Sequence, residues 1–183
     1  MSSNAASKSK TLKIVKLGML VAISVALVYL IHFPLFPAVA FLEYDPADIP
    51  ILIGTFAFGP VAGFILTIVT SVIQGVTVSA ASGLYGIIMH IIATCTLTLV
   101  SGSIYSRHKT RKTAAIGLVL GAIAMAVVMI VANLIITPFF MGVPRSAVWS
   151  LMPFIVGFNL IKAGINGVIT FLLYKRISVL LHK

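Results

Sequence analysis

A chain of 183 residues that is 60% hydrophobic and only 9% charged, with a mean hydropathy of +1.18, has too little polar surface for a water-soluble domain and reads as a membrane protein. Thirteen lysines and arginines against three acids give +10, but the cations sit between apolar runs, so they mark membrane sidedness and not a nucleic-acid partner. The single cysteine, Cys95, lies in an apolar run, which excludes an intrachain disulfide, a CxxC zinc site and a redox pair.

Residues 1–10, rich in Ser, Asn and Lys, read as a disordered cytoplasmic tail ahead of one membrane domain over 11–183. The first apolar run, 15–33, meets the roughly 20 residues that a bilayer crossing needs. It exceeds the apolar core of a secretory leader, so no cleavage is expected despite the triplet Ala38-Val39-Ala40. The following segment, 34–50, holds all three acids, Glu43, Asp45 and Asp48. From 49 to 78 the chain stays apolar apart from Gly59-Pro60, where proline removes a helical hydrogen bond. Further spans are expected over 84–105, 114–137 and 151–174.

Three basic groups flank these runs: Lys8, Lys10, Lys13 and Lys16; Arg107, Lys109, Arg111 and Lys112; Lys175, Arg176 and Lys183. All three face the cytoplasm only if 49–78 crosses twice, as a short helix 49–58 and a second helix 60–77. The expected fold is an all-α integral membrane protein, a six-helix transmembrane bundle with a short second helix and both termini cytoplasmic. Segments 34–50 and 138–150, the latter with Arg145, are then outer loops. A helix of ten residues cannot span alone and needs protein around its ends. Neither a repeat of 20–50 residues nor inverted symmetry is visible.

No P-loop, HExxH or GxSxG motif occurs and the four histidines are scattered, so no ATP site, metal, cofactor or enzymatic activity is expected. The spans lack Asp and Glu, which disfavours a stand-alone proton symporter. Lys162, by contrast, falls near the middle of the last span, where a lysine costs about 2.5–3.5 kcal/mol and is too far from either end to reach water. Asn159 and Asn166, three residues before and four after, share its helix face. A wet, inward-facing pocket follows, with Lys162 paired either to Glu43, Asp45 or Asp48 or to a ligand carbonyl or carboxylate. Asn133, His90 and Gln74 are further polar positions, read as interhelical partners or ligand contacts. Thr67, Thr70 and Ser71 are expected to bond back to preceding carbonyls. Gly18, Ala22 and Ala26 recur every four residues and form a flat strip, for this chain's own helices or for a partner protein. Tyr29, Phe33, Phe36, Phe41 and Tyr44 form an interfacial belt or cover a ring-shaped ligand.

The segment Leu42-Glu43-Tyr44-Asp45-Pro46-Ala47-Asp48-Ile49-Pro50, the turn Phe58-Gly59-Pro60-Val61-Ala62-Gly63 and the stretch Pro153-Phe154-Ile155-Val156-Gly157-Phe158-Asn159-Leu160-Ile161-Lys162 resemble the substrate-binding S subunits of energy-coupling factor (ECF) transporters. The riboflavin branch is the nearest, and the resemblance covers residues 12–174. It implies six helices, a vitamin pocket near the outer side, and a bacterial cell-membrane complex with a transmembrane coupling (T) subunit and two cytoplasmic ATPase subunits. It also implies release by toppling of the subunit in the lipid bilayer. By resemblance, Ala22 and Ala26, next to Gly18, make the docking strip, while Asn159, Lys162 and Asn133 contact ligand. The expected site adds Asn166, Gln74, His90, Asp48 and Tyr44. Thr70 and Ser71 stand where flavin-branch members carry a Lys-Asn pair, and His90 stands where an asparagine is common. Expected function is high-affinity capture of riboflavin or a related water-soluble vitamin, with transport driven by the ATPases. Pantothenate, whose carboxylate suits Lys162, and a pyridoxine- or hydroxymethylpyrimidine-type vitamin are alternatives. More distant ones are a membrane assembly subunit, or a membrane enzyme built from His90, Cys95 and Asp48.

Overall fold

The computed structural model describes residues 2–181, with side chains from Lys10 onward. Its elements are α1 (Ser2–Leu30), β1 (Phe33–Pro34), β2 (Glu43–Tyr44), α2 (Asp48–Phe58), α3 (Pro60–Val76), α4 (Gly83–Arg107), α5 (Arg111–Met141), α6 (Arg145–Ser150) and α7 (Met152–Leu181). The first turns of α1 run through the segment expected as a tail, whose residues 1–9 have no described side chains. Four helices are long and apolar enough to cross a membrane, over Lys10–Leu30, Ala80–Arg107, Arg111–Met141 and Met152–Leu181, and α2 and α3 are shorter apolar helices.

The expected count of six differs from the seven α-helices among the described residues because α6 occupies the segment read as a plain outer loop. The span expected to stop at Thr137 runs on to Met141. Pro138 removes only the bond to the carbonyl one turn back, and the helix ends at Gly142, whose φ of 66° is the left-handed conformation open to glycine. Gly59, at φ 94° and ψ 171°, makes the corner between α2 and α3, and Pro60 starts the next helix where a missing N–H is harmless.

The eleven residues of α2 extend only about 16 Å. All but Phe58 are buried, because α1, α3, α4 and α7 pack around the helix and satisfy ends that lipid cannot. The tightest seam joins α4 to α5. A Cβ on Gly117 would lie 2.8 Å from the Ser101 carbonyl oxygen, and one on Gly121 would lie 2.9 Å from that of Leu97. Toward the end of the bundle that carries Arg107 and Arg111, Phe56, Tyr105 and Tyr174 stack with ring centroids 4.5–5.7 Å apart. Outward faces stay apolar, with Ile14, Met19 and Ile23 of α1 and Val119, Val127 and Val131 of α5 exposed, as a lipid-facing surface requires. At the opposite end β1 and β2 pair antiparallel, Phe33 opposite Tyr44, and bring the chain back over the bundle into α2.

Candidate functional site

The segment from β2 into α2 carries three carboxylates and is stitched to four helices. Asp45 Oδ1 accepts the Ala47 N–H at 3.0 Å, an Asx turn that bends the chain toward α2. Ser24 of α1 donates to the Ala47 carbonyl. Lys162 Nζ of α7 lies 2.7 Å from Asp45 Oδ2, and Gln74 Nε2 of α3 donates weakly to the same oxygen at 3.4 Å. Asp48 Oδ1 accepts from Thr94 of α4 at 2.7 Å. Asn166 of α7 donates at 3.1 Å both to the Asp45 carbonyl and to Asp48 Oδ2, and it accepts the Tyr44 hydroxyl at 3.0 Å. Burial pushes the Tyr44 hydroxyl pKa up, which keeps it protonated as that donor.

Asp45 and Asp48, expected in an outer water-exposed segment, are thus 3% and 0% exposed. Of the two partners considered for Lys162, a protein carboxylate is present, and the ammonium neither snorkels nor lacks a counter-charge. The sequence offers Asp45 only as one of three acids able to pair with Lys162, and Thr94 carries no signal because nothing distinguishes a buried helical threonine bonded to another element.

Beside this network is a half-open cavity, about 790 Å³ of empty space counted together with the solvent at its mouth. Gln74, His90, Asn159 and Lys162 line it, together with Glu43, Asp45 and Phe41. Asp48, Asn166 and Tyr44 do not; they sit behind the wall and hold Asp45 and its segment in place. Asn133 lines neither this cavity nor the smaller one beside it. Its amide is spent on the Met129 carbonyl and on Thr137, both 2.8 Å away on its own helix. Asn159 gives its amide hydrogen to the Ile155 carbonyl but borders the cavity.

His90 has a defined orientation. Ser71 Oγ lies 2.7 Å from the Thr67 carbonyl, to which it donates, and 3.1 Å from His90 Nδ1, so Ser71 holds the ring by that nitrogen. Nε2 then points to Asp48 Oδ1 at 3.6 Å, beyond a hydrogen bond. Thr67 and Ser71 bond back along α3 as expected, whereas Thr70 Oγ1 is buried without a partner among the described residues. Gln74 Oε1 and His90 Nε2 are unpartnered in the same way, and both residues border the cavity. Phe41 is the one member of the aromatic set that lines it; Tyr29 and Phe33 are exposed outside.

Gly18, Ala22 and Ala26 are all exposed on α1, and nothing lies within 4 Å of a Cβ built on Gly18, so the strip does not serve this chain's own packing. Among the described residues no group of three His, Cys, Asp or Glu side chains is placed to hold a metal.

A family profile described as the substrate-specific component of ECF transporters matches residues 12–174. Over 178 residues the chain is 26% identical to the riboflavin transporter RibU of Staphylococcus aureus, covering 93% of each chain. It is 31% identical over 127 residues to RibU of Lactococcus lactis, covering 68% of this chain and 62% of that one. The riboflavin transporter FmnP of Bacillus subtilis is 29% identical over 129 residues, covering 69% of this chain and 67% of that one. Among solved structures, the S component of a bacterial ECF transporter superposes with a TM-score of 0.81 at 26% identity, over 95% of this chain and 99% of that one. ThiT of Listeria monocytogenes shares the fold, with a TM-score of 0.68 at 15% identity over 94% and 98%.

Proposed function

The chain belongs to the family of ECF transporter substrate-specific components and is a multi-pass membrane protein, and from that premise we propose that it captures riboflavin at the outer face of the membrane for ATP-driven import. The observation that carries this reading is the half-open cavity bordered by Asn159 and Lys162, the pair that the family resemblance assigns to ligand contact. The relatives named as riboflavin transporters favour a flavin over other vitamins. Gln74 and His90 also line the cavity, and Asp48, Asn166 and Tyr44 support its lining from behind. Asn133 joins the site only if its amide leaves the Met129 carbonyl.

Six of the helices cross: α1, α2, α3, α4, α5 and α7, as one domain over 11–183, with both termini cytoplasmic and the six-residue α6 lying at the outer surface. The exposed Gly18, Ala22 and Ala26 strip accepts the transmembrane coupling subunit, which in turn engages two cytoplasmic ATPases. The remaining outward faces meet lipid. The protein catalyses nothing itself; release follows from ATP hydrolysis by its partners, with toppling of the subunit as the family resemblance implies.

Titrating the purified subunit with riboflavin and following quenching of flavin fluorescence tests this. Saturation at one flavin per chain is expected, and Asn159→Ala should weaken binding by roughly tenfold. Absence of saturable quenching would sink the reading.

A further inference from the structure

The three acids and the cavity share one end of the bundle, and at the other end the charge is of one sign. Lys13 and Lys16 of α1, Arg107 and Arg111 at the α4–α5 turn, and Lys175 and Arg176 of α7 stand there. The ion pairs among the described residues belong to Asp45 and Asp48, so no acid answers these cations. Two of the six are engaged otherwise: Lys16 Nζ donates to the Leu181 carbonyl, and Lys13 Nζ lies 5.9 Å from the Phe58 ring centroid.

Arg111 and Lys175, from different helices, meet at one side chain. A Cβ on Gly167 would lie 3.8 Å from the Leu118 side chain, a contact that sets the register of α7 against α5. Arg111 lies seven residues before Leu118 and Tyr174 seven after Gly167, so in an antiparallel pair each is about 10 Å further toward the basic end. Arg111 accordingly acts electrostatically on the Tyr174 hydroxyl, and Lys175 Nζ sits 5.9 Å from the Tyr174 ring centroid. Tyr174 is fully buried against Phe56 and Tyr105 and forms a floor, with both cations exposed beside it. Like charges on either side of one ring repel, and an anion held between them removes that repulsion.

The surroundings favour an anion that carries hydrocarbon. Ile116, five residues into the bundle from Arg111, and Leu172, three residues before Lys175, are exposed large apolar side chains. Cations thus end where lipid-facing surface begins, the level of a phospholipid phosphate, and a soluble anion would gain nothing from the apolar walls.

We propose that the basic end of α5 and α7 is a binding site for one anionic phospholipid: its phosphate sits between Arg111 and Lys175 beside Tyr174, and its acyl chains run along Ile116 and Leu172. The site uses nothing from the vitamin cavity, so lipid binding and riboflavin binding stand or fall separately.

The test titrates the purified full-length subunit, in a nonionic detergent, with phosphatidylglycerol or with phosphatidylcholine of the same acyl chains, and native mass spectrometry reads the lipid bound per chain. One phosphatidylglycerol should be retained at concentrations where phosphatidylcholine is not, and equal retention overturns the proposal. Arg111→Gln with Lys175→Gln should weaken phosphatidylglycerol binding roughly 30-fold, the factor that corresponds to two juxtamembrane cations at about 1 kcal/mol each. Lys10→Gln with Lys109→Gln removes the same charge without touching the groups around Tyr174 and should weaken it far less. Equal losses in the two double variants would leave only diffuse attraction and refute the site. Parent-like lipid binding by Arg111→Gln with Lys175→Gln, together with lost association with the coupling subunit, would make these cations a protein contact and refute it as well. The parent protein decides even if a variant does not fold: inorganic phosphate and glycerol 3-phosphate in large excess should leave the lipid in place. Displacement by either would make the crevice a free-anion site and overturn the lipid assignment.

Discussion

Lys162 and Asp45 are each tolerable inside the bundle only because of the other. Taking the ammonium away, as in Lys162→Met, leaves a carboxylate that is 3% exposed with only a weak amide donor and a backbone N–H, a loss of about 3–5 kcal/mol. Asp45→Asn combined with Lys162→Met removes both charges and should recover most of that loss, since a neutral pair needs no compensation. Thermal unfolding of the four proteins in one detergent gives the coupling energy directly. A double variant no more stable than Lys162→Met would show that the pair is not what holds the segment. Lys162 was legible in the sequence because a charge at mid-span is costly enough to require a partner. Asp45 was not, because three acids in a proline-flanked segment look the same whether that segment faces water or turns back into the bundle. Asn133 and Asn166 are the instructive contrast. Both are asparagines in apolar helices, yet one is spent on its own helix and the other bridges three residues of the β2–α2 segment. Spacing places a side chain on a face of its helix, whereas the neighbour opposite that face is fixed only by tertiary packing.

Helices α2 and α3 were legible because glycine-proline punctuates backbone geometry locally, and the mid-chain cations required a turn there. Helix α6 was not, since six polar and apolar residues after Pro144 carry no period long enough to read. The α4–α5 seam was equally hidden: Gly117 and Gly121 sit one turn apart against Ser101 and Leu97 backbone, a contact that only the packed pair reveals. Gly117→Val should therefore lower stability by about 1–3 kcal/mol through forced separation of the two helices. Gly164→Val, at a glycine with no atom within 4 Å of an added Cβ, should change melting by far less. Similar losses at the two sites would contradict the close approach. The α1 strip gives the opposite expectation, because it is exposed among the described residues. Replacing Ala22 and Ala26 together by leucine should leave riboflavin affinity of the isolated subunit within about twofold and abolish ATP-driven uptake in the assembled transporter. Uptake at the parent rate would remove the strip from the partner interface.

The whole molecule is polarised. The buried acids and the cavity lie at one end of the bundle, and Arg107, Lys109, Arg111 and Lys112 lie exposed at the other, where Thr110 caps α5. An apolar bundle has no other strong preference for which end faces the cytoplasm, so this asymmetry predicts the basic end inside, at a juxtamembrane attraction of about 1 kcal/mol per cation to an anionic inner leaflet. It also bears on the number of crossings, since it disfavours a single one over α2 and α3. With α2 and α3 both crossing, or with the pair as a re-entrant hairpin, the turn before α5 is inside. A single continuous crossing over α2 and α3 would put the turn outside. The sole cysteine, Cys95, is buried, so single introduced cysteines report cleanly. Ser146→Cys on exposed α6 should react in intact cells with a membrane-impermeant maleimide, and Lys109→Cys should react only after permeabilisation. Reaction of Lys109→Cys from outside would place both basic turns and the cavity on sides opposite to those proposed, and capture of a vitamin from the external medium would then be impossible by this route.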